Sequence, residues 1–284
     1  LPQEKIDSDD EKIIALASSL AEGEGDLFVV VFKVARWVEE NIDYDLNTLT
    51  EKLSQKASWV LDNKYGVCDE LTSLFIAMIR SLGIPARYIS GFAYTDWNDL
   101  NDFGSHAWAE VYFPEYGWVA FDLTYHEFGY TDVGHVKLMH SLDAGESSIK
   151  FNVLGRGIDI EAKELLIDVE LTEKEGETSP KIDLSADIIK EEVGFGSYNL
   201  IKIDVENLED YYVSSTIYIS NTTKLEVVGD NKQSVLLKPN EKREIYWIIK
   251  VDRDLTKGYY YTLPVEIYTR EGEKKEINFT SKED

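Results

Sequence analysis

Cysteine is nearly absent from this sequence: Cys68 stands alone among 284 residues. A single thiol excludes an intrachain disulfide and any zinc site built on paired cysteines. Basic residues are also scarce. Against 54 Asp and Glu stand 29 Lys and Arg, a formal net charge of −25. With no basic excess to neutralise phosphates, nucleic-acid binding is not expected. An acidic surface favours basic or neutral partners and holds divalent cations weakly and diffusely. Methionine occurs twice, and glutamine only at Gln3, Gln55 and Gln233. With 29% charged residues, that scarcity of thermolabile side chains leans towards a thermophile. No run of about eighteen uncharged apolar residues exists, so no helical membrane span is expected. No signal-type apolar segment opens the chain, which fits a mature or trimmed chain as well as a cytosolic one.

What is present supports two folded domains. A hydrophobic fraction of 43% with 12% aromatics over 284 residues is enough for a core in each. The first sixty residues carry helical patterns. Asp10 is placed to cap a segment with Ile13, Ile14, Ala17 and Leu20 on one face, and Asp26 a second with Val30, Val31, Val34, Trp37 and Val38. A third is expected from Thr50, through Leu53, Ala57, Val60 and Leu61. After the turn Tyr65-Gly66-Val67, Cys68 opens an amphipathic run through Leu71, Leu74, Phe75, Met78, Ile79 and Leu82, stopped by Gly83 and Pro85. Period-two segments follow over 86–94, 106–113 and 118–123, the last two joined by Pro114-Glu115-Tyr116-Gly117. Helices followed by antiparallel strands make an α+β domain. Beyond about residue 145 only short alternating stretches recur, at 165–171, 181–188, 200–205, 213–219, 235–237, 243–251, 260–268 and 274–279. Strands at that spacing suggest an all-β immunoglobulin-like sandwich. The acidic run from Thr172 to Pro180 is the expected linker, giving domains 1–172 and 181–284.

Three residues have complementary chemistry. Cys68 sits where a turn enters a helix, and the free N–H groups there stabilise a thiolate and can donate to an oxyanion. Asp69 and Glu70 oppose the thiolate, so its activation needs a basic partner. His106, after Gly104-Ser105, is placed at a strand start to act as general base. Asp122 lies on the strand paired to that of His106 and can orient its ring.

Four ordered blocks surround these residues: Tyr65-Gly66-Val67-Cys68-Asp69-Glu70, Leu82-Gly83-Ile84-Pro85-Ala86-Arg87-Tyr88-Ile89-Ser90-Gly91, His106-Ala107-Trp108-Ala109-Glu110-Val111-Tyr112, and Gly117-Trp118-Val119-Ala120-Phe121-Asp122-Leu123-Thr124. Together they resemble the transglutaminase-like superfamily over roughly residues 25 to 145. The resemblance implies a papain-like catalytic fold, a Cys68–His106–Asp122 triad, no cofactor, and amide acyl chemistry through a thioester on a protein or peptide substrate. The family includes cross-linking transglutaminases, peptidases, amidases and inactive copies. The expectation is a cysteine-dependent hydrolase of peptide or isopeptide bonds. The alternatives are a cross-linking acyltransferase and a non-catalytic surface module for adhesion or scaffolding. Tyr44 and Trp59 are candidates for the upstream aromatic that aids the oxyanion in this family. Trp108 and Trp118 are read as packing beside the triad, with substrate lining as the other role for both.

Weaker signals surround this core. The loop Asp96-Trp97-Asn98-Asp99-Leu100-Asn101-Asp102 gathers oxygen ligands that could take calcium weakly, but it lacks the glycine and distal glutamate of an EF-hand. A solvated acidic rim is the expectation there. His126, His135, His140 and Asp143 follow no standard metal spacing, so no metal is assigned. Asn221-Thr222-Thr223 and Asn278-Phe279-Thr280 are glycosylation sequons. With the sandwich they point to an extracellular or cell-surface protein, with any anchorage lying beyond this chain.

Overall fold

The computed structural model describes residues 1–45, 54–95, 102–145, 169–170, 172, 179–220 and 222–283. The chain divides into two compact units, Leu1–Gly176 and Glu177–Asp284.

The first unit is α+β. Asp10 and Asp26 cap α1 (Glu11–Ala21) and α2 (Leu27–Asn41), their carboxylates accepting from Lys12 and Ile13 N–H and from Phe28 and Val29 N–H. The short strand β1 (Asp43–Tyr44) follows, then α3 (Ala57–Asn63) and β2 (Tyr65–Gly66). The third helix thus begins at Ala57 rather than Thr50; residues 46–53 lie outside the described residues. β1 pairs with β2 in parallel, Tyr44 opposite Gly66, so two strands of two residues each tie Tyr44 to the turn that precedes Cys68.

Helix α4 (Cys68–Ser81) is the centre of the unit. Every residue from Glu70 to Ile79 is buried, because α1, α2 and α3 cover one side and a sheet covers the other. That sheet consists of β3 (Ala86–Thr95), β4 (Asp102–Phe113), β5 (Gly117–Asp122), β6 (Glu127–Phe128) and β7 (His135–Ser141), in the order β6-β5-β4-β3-β7. All its pairs are antiparallel. The core-facing residues of β4 and β5 are the odd-numbered ones, Ala107, Ala109, Val111, Phe113 and Phe121, and Phe75 of α4 packs on Phe121. Trp118 shares the even-numbered face with Asp122 but, rather than packing beside the triad, lies at the exposed end of the strand. It is 41% exposed, with Tyr112 beside it and the Arg87 guanidinium 4.1 Å over its ring.

β7 was not legible as a strand, and its placement depends on Gly91. A Cβ at residue 91 would stand 2.1 Å from the Val136 carbonyl oxygen and 2.8 Å from the Trp108 ring. Only glycine lets β7 approach β3 that closely. The register also shifts between Ser90 and Gly91.

The second unit is a β-sandwich of nine strands among the described residues. They are β8 (Ile182–Ile188), β9 (Glu192–Gly194), β10 (Tyr198–Asn207), β11 (Val213–Ile219), β12 (Leu225–Val228), β13 (Lys232–Leu237), β14 (Lys242–Val251), β15 (Tyr261–Thr269) and β16 (Lys274–Lys282). Its sheets run β12-β14-β10-β8 and β13-β11-β15-β16-β9. Strict alternation builds the core. Ile201, Ile203, Val205, Trp247, Ile249 and Val251 of the first sheet meet Ile217, Ile219, Leu263, Val265, Ile267 and Phe279 of the second. The strand expected at 165–171 falls almost wholly outside the described residues, as do most of the expected linker, residues 96–101 of the acidic loop and Asn221.

Candidate active site

Cys68 is the first residue of α4, half-buried and in the free thiol form. The turn before it is fixed by Glu70, whose carboxylate accepts from Val67 N–H at 3.1 Å and Gln55 N–H at 3.0 Å. The Thr72 hydroxyl donates to the Ala107 carbonyl at 3.3 Å, and the Ala107 N–H hydrogen-bonds the Cys68 sulphur. The thiol therefore lies against the strand residue next to His106.

His106 and Asp122 meet directly. Ala109 pairs with Phe121, so Asp122 falls beside Trp108 and one diagonal from His106 on the same sheet face, within reach of a ring and a short carboxylate. His106 Nε2 lies 2.5 Å from Asp122 Oδ2. His106 is 9% exposed and Asp122 fully buried. Asp122 Oδ1 accepts the Thr124 N–H at 2.8 Å and the Tyr125 N–H at 2.9 Å. Burial alone would raise this carboxyl's pKa, but the His106 charge, the hydrogen bonds from His106 and His135, and the Tyr125 N–H hold it far below the ordinary carboxylate range. Arg87 is not its partner: the guanidinium pairs with Glu110 at 2.6 Å.

The thiol departs from the expectation of a thiolate stabilised in the resting state. Burial first, then the Asp69 carboxylate, pushes Cys68 well above its ordinary pKa; the Ala107 N–H pulls the other way, and Asp122 adds to the upward push. Asp69 Oδ1 lies 3.6 Å from the sulphur and accepts the Tyr88 hydroxyl at 3.0 Å. The helix N-terminus is outweighed by burial and by an anion in its own first turn.

Of the aromatic candidates, Tyr44 lies in the field of this cluster. Its phenol is raised well above its ordinary value, by desolvation first and then by Cys68, Tyr125, Asp122 and Asp69. Trp59 packs edge-on against Tyr65 at 5.2 Å, with no described contact to Cys68. Trp108 is 2% exposed, its ring stacked with His106 at 6.1 Å and edge-on to His135 at 5.2 Å. That burial leaves little of its surface open to a substrate path.

Sequence reasoning missed His135. The segment joining β6 to β7 carries the chain from one edge of the sheet to the other and delivers this ring to Asp122. His135 Nε2 lies 3.0 Å from Asp122 Oδ2, and Nδ1 lies 2.8 Å from Asp132 Oδ1 and 3.8 Å from Glu127 Oε2. Desolvation lowers its pKa, but its hydrogen bonds to Asp122 and Asp132 and the charges of Asp122 and Glu127 outweigh that and raise it to about 10. Burial and the Asp132 charge raise Glu127 to about 7. The other members of the weak histidine grouping go elsewhere. His126 pairs with Glu39 at 3.3 Å, His140 is exposed on β7, and Asp143 accepts the Lys5 and Ile6 N–H groups at 3.1 Å. Among the described residues, ligand-type side chains group at His106–Asp122–His135 and Glu127–Asp132–His135. Most of the close contacts in these groups are histidine–carboxylate hydrogen bonds, the geometry of ion pairs rather than of a shared cation.

Comparison with known proteins gives this arrangement a family. The profile of the transglutaminase-like superfamily matches residues 14–123. An uncharacterised Bacillus subtilis protein, YebA, is 30% identical over 153 residues, covering 49% of this chain and 20% of that protein. A Pseudomonas aeruginosa protein named protein-glutamine gamma-glutamyltransferase is 27% identical over 103 residues, 34% of this chain and 15% of the relative. The chain thus spans a small part of the length of either. A Cytophaga hutchinsonii crystal structure, provisionally named a cysteine protease, is 28% identical with a TM-score of 0.43, covering 51% of this chain and 46% of that one. Through residues 14–123 this chain carries a domain of the transglutaminase-like superfamily.

Proposed function

We propose that the first unit is a cysteine-dependent amide hydrolase acting on peptide or isopeptide bonds. One observation carries this reading: a buried His106–Asp122 pair at 2.5 Å, beside the only thiol of the chain at a helix N-terminus. In this reading, Cys68 Sγ attacks the carbonyl carbon as its proton passes to His106 Nδ1. Asp122 accepts the Nε2–H and stabilises the imidazolium. Because the resting thiol is held neutral, the thiolate forms only as the proton leaves for His106. In this reading the Cys68 N–H and the Tyr44 hydroxyl donate to the oxyanion, which the influence of the Cys68 thiol on the Tyr44 phenol supports. His106 then returns its proton to the leaving amine, a thioester remains on Cys68, and water activated by the same imidazole releases the acid.

Acyl transfer to an amine is the second reading, favoured by the name of the Pseudomonas relative. The two differ only in the nucleophile that meets the thioester. Incubating the protein with a casein digest and dansylcadaverine separates them. New carboxyl termini or released ammonia without dansyl incorporation support hydrolysis; dansylated glutamine supports transfer; neither product in wild type speaks against both. The second unit we assign as an immunoglobulin-like accessory module and the location as extracellular. Asn278, exposed on β16, is the described sequon asparagine that supports this.

A further inference from the structure

We propose that His135 is a second, permanently protonated imidazolium on Asp122, a positioning residue that locks the carboxylate and divides its charge between two rings. The argument is stereochemical. Both ring nitrogens of His135 face carboxylate oxygens, Nε2 at 3.0 Å from Asp122 and Nδ1 at 2.8 Å from Asp132. Carboxylates only accept, so each nitrogen must carry a proton, and a ring with two N–H groups is a cation. A neutral tautomer would set a lone pair against an anion inside a site where the His135 side chain is 2% exposed.

The groups around the ring agree. Asp122 faces it from β5, Glu127 from β6 and Asp132 from its own loop, while His106, Trp108 and Tyr125 pack against it as aromatic rings. Three carboxylates converge on this ring, and a neutral His135 would leave their negative charge without this counterion.

Two consequences follow for the proposed triad, on which this inference rests. Asp122 has all its acceptor directions taken: Oδ1 by two backbone N–H groups and Oδ2 by two histidines. It therefore cannot rotate away from His106. In addition, a fixed positive charge stands 5.7 Å from the His106 ring, measured between centroids. It offsets part of the negative charge that Asp122, Asp132 and Glu127 gather beside the triad.

The chain has four histidines, so imidazole NMR resolves them without any assay of catalysis. In the wild type, His135 is expected to stay protonated beyond pH 8. In Asp132→Asn, which keeps a carbonyl acceptor for Nδ1 but removes the charge, the His135 midpoint is expected to fall by about one unit. A His135 held neutral by packing alone would show no such fall in Asp132→Asn, which overturns the proposal. Should the variant fail to fold, the wild-type titration decides alone: a His135 midpoint between 6 and 7 overturns it, and one above 8 supports it. An inactive protein that still shows these midpoints would refute the proposed function while leaving the charge arrangement intact.

Discussion

Replacing Asp122 by Asn tests the arrangement most sharply, because the amide keeps the shape and half of the acceptors. Placed with its oxygen where Oδ1 now lies, the amide would still accept the Thr124 and Tyr125 N–H groups. Its NH2 would then face two ring nitrogens that now donate, at 2.5 and 3.0 Å. Two hydrogen bonds to a charged acceptor are lost, each worth about 1.5–3 kcal/mol when buried. Allowing for partial recovery by ring reorientation, the expected loss is about 2–4 kcal/mol at pH 7. For a unit of this size that lowers the melting temperature by roughly 5–15 °C. His106 would adopt the tautomer with its proton on Nδ1, the atom meant to receive the thiol proton, and acylation should fall by about 10²- to 10⁴-fold. The pH dependence carries a further sign. The folded pKa of His135 is raised from 6.5 to about 10, so its contribution to stability is full below about pH 6.5 and lost as pH rises through 10. The wild-type unit should melt lower at pH 10 than at pH 7, and the variant should show a flatter slope. Circular dichroism melts and acylation rates on the same samples test both. A melting temperature within about 1 °C of wild type, with acylation unchanged, would refute the reasoning.

Asp69→Asn removes the anion 3.6 Å from the sulphur while keeping an acceptor for Tyr88. Iodoacetamide labelling of Cys68 should shift about one pH unit lower, roughly tenfold faster at pH 7; an unmoved profile would show that burial alone controls the thiol. Tyr44→Phe should slow acylation by about 10- to 100-fold with little change in alkylation, and equal losses in both would place the phenol in packing instead. Glu127, raised from 4.5 to about 7, opposes folding increasingly as pH climbs from about 4.5 to 7. Glu127→Gln should therefore raise the melting temperature at pH 8 by an amount worth about 1–3 kcal/mol and leave it unchanged at pH 4; equal shifts at both pH values would contradict the assignment.

Much of this was legible because local chemistry and tertiary structure agree. Asp10 and Asp26 announced their helices through capping, and Gly83-Ile84-Pro85 ended α4. The Pro114–Gly117 turn fixed the β4–β5 register that joins His106 to Asp122. Alternation marked most of the sandwich strands, though β9 and β12 are too short to show it. The failures share a cause in long-range geometry. His135 is thirteen residues beyond Asp122 on a strand of weak alternation, and only the close approach at Gly91 brings that strand in. The resting state of Cys68 misled for a similar reason. The helix dipole is visible in sequence, whereas the burial that outweighs it depends on β4 lying across the helix start.

The central claim is that Cys68 is a nucleophile served by His106. Reaction with p-nitrophenyl acetate, followed by nitrophenolate release and intact mass, tests it without knowledge of the natural substrate. The account predicts a burst of about one nitrophenolate per chain with one acetyl group on Cys68, as expected for a thioester intermediate, and loss of the burst in His106→Ala. Wild type without an acetyl adduct, or an equal burst in His106→Ala, would contradict it.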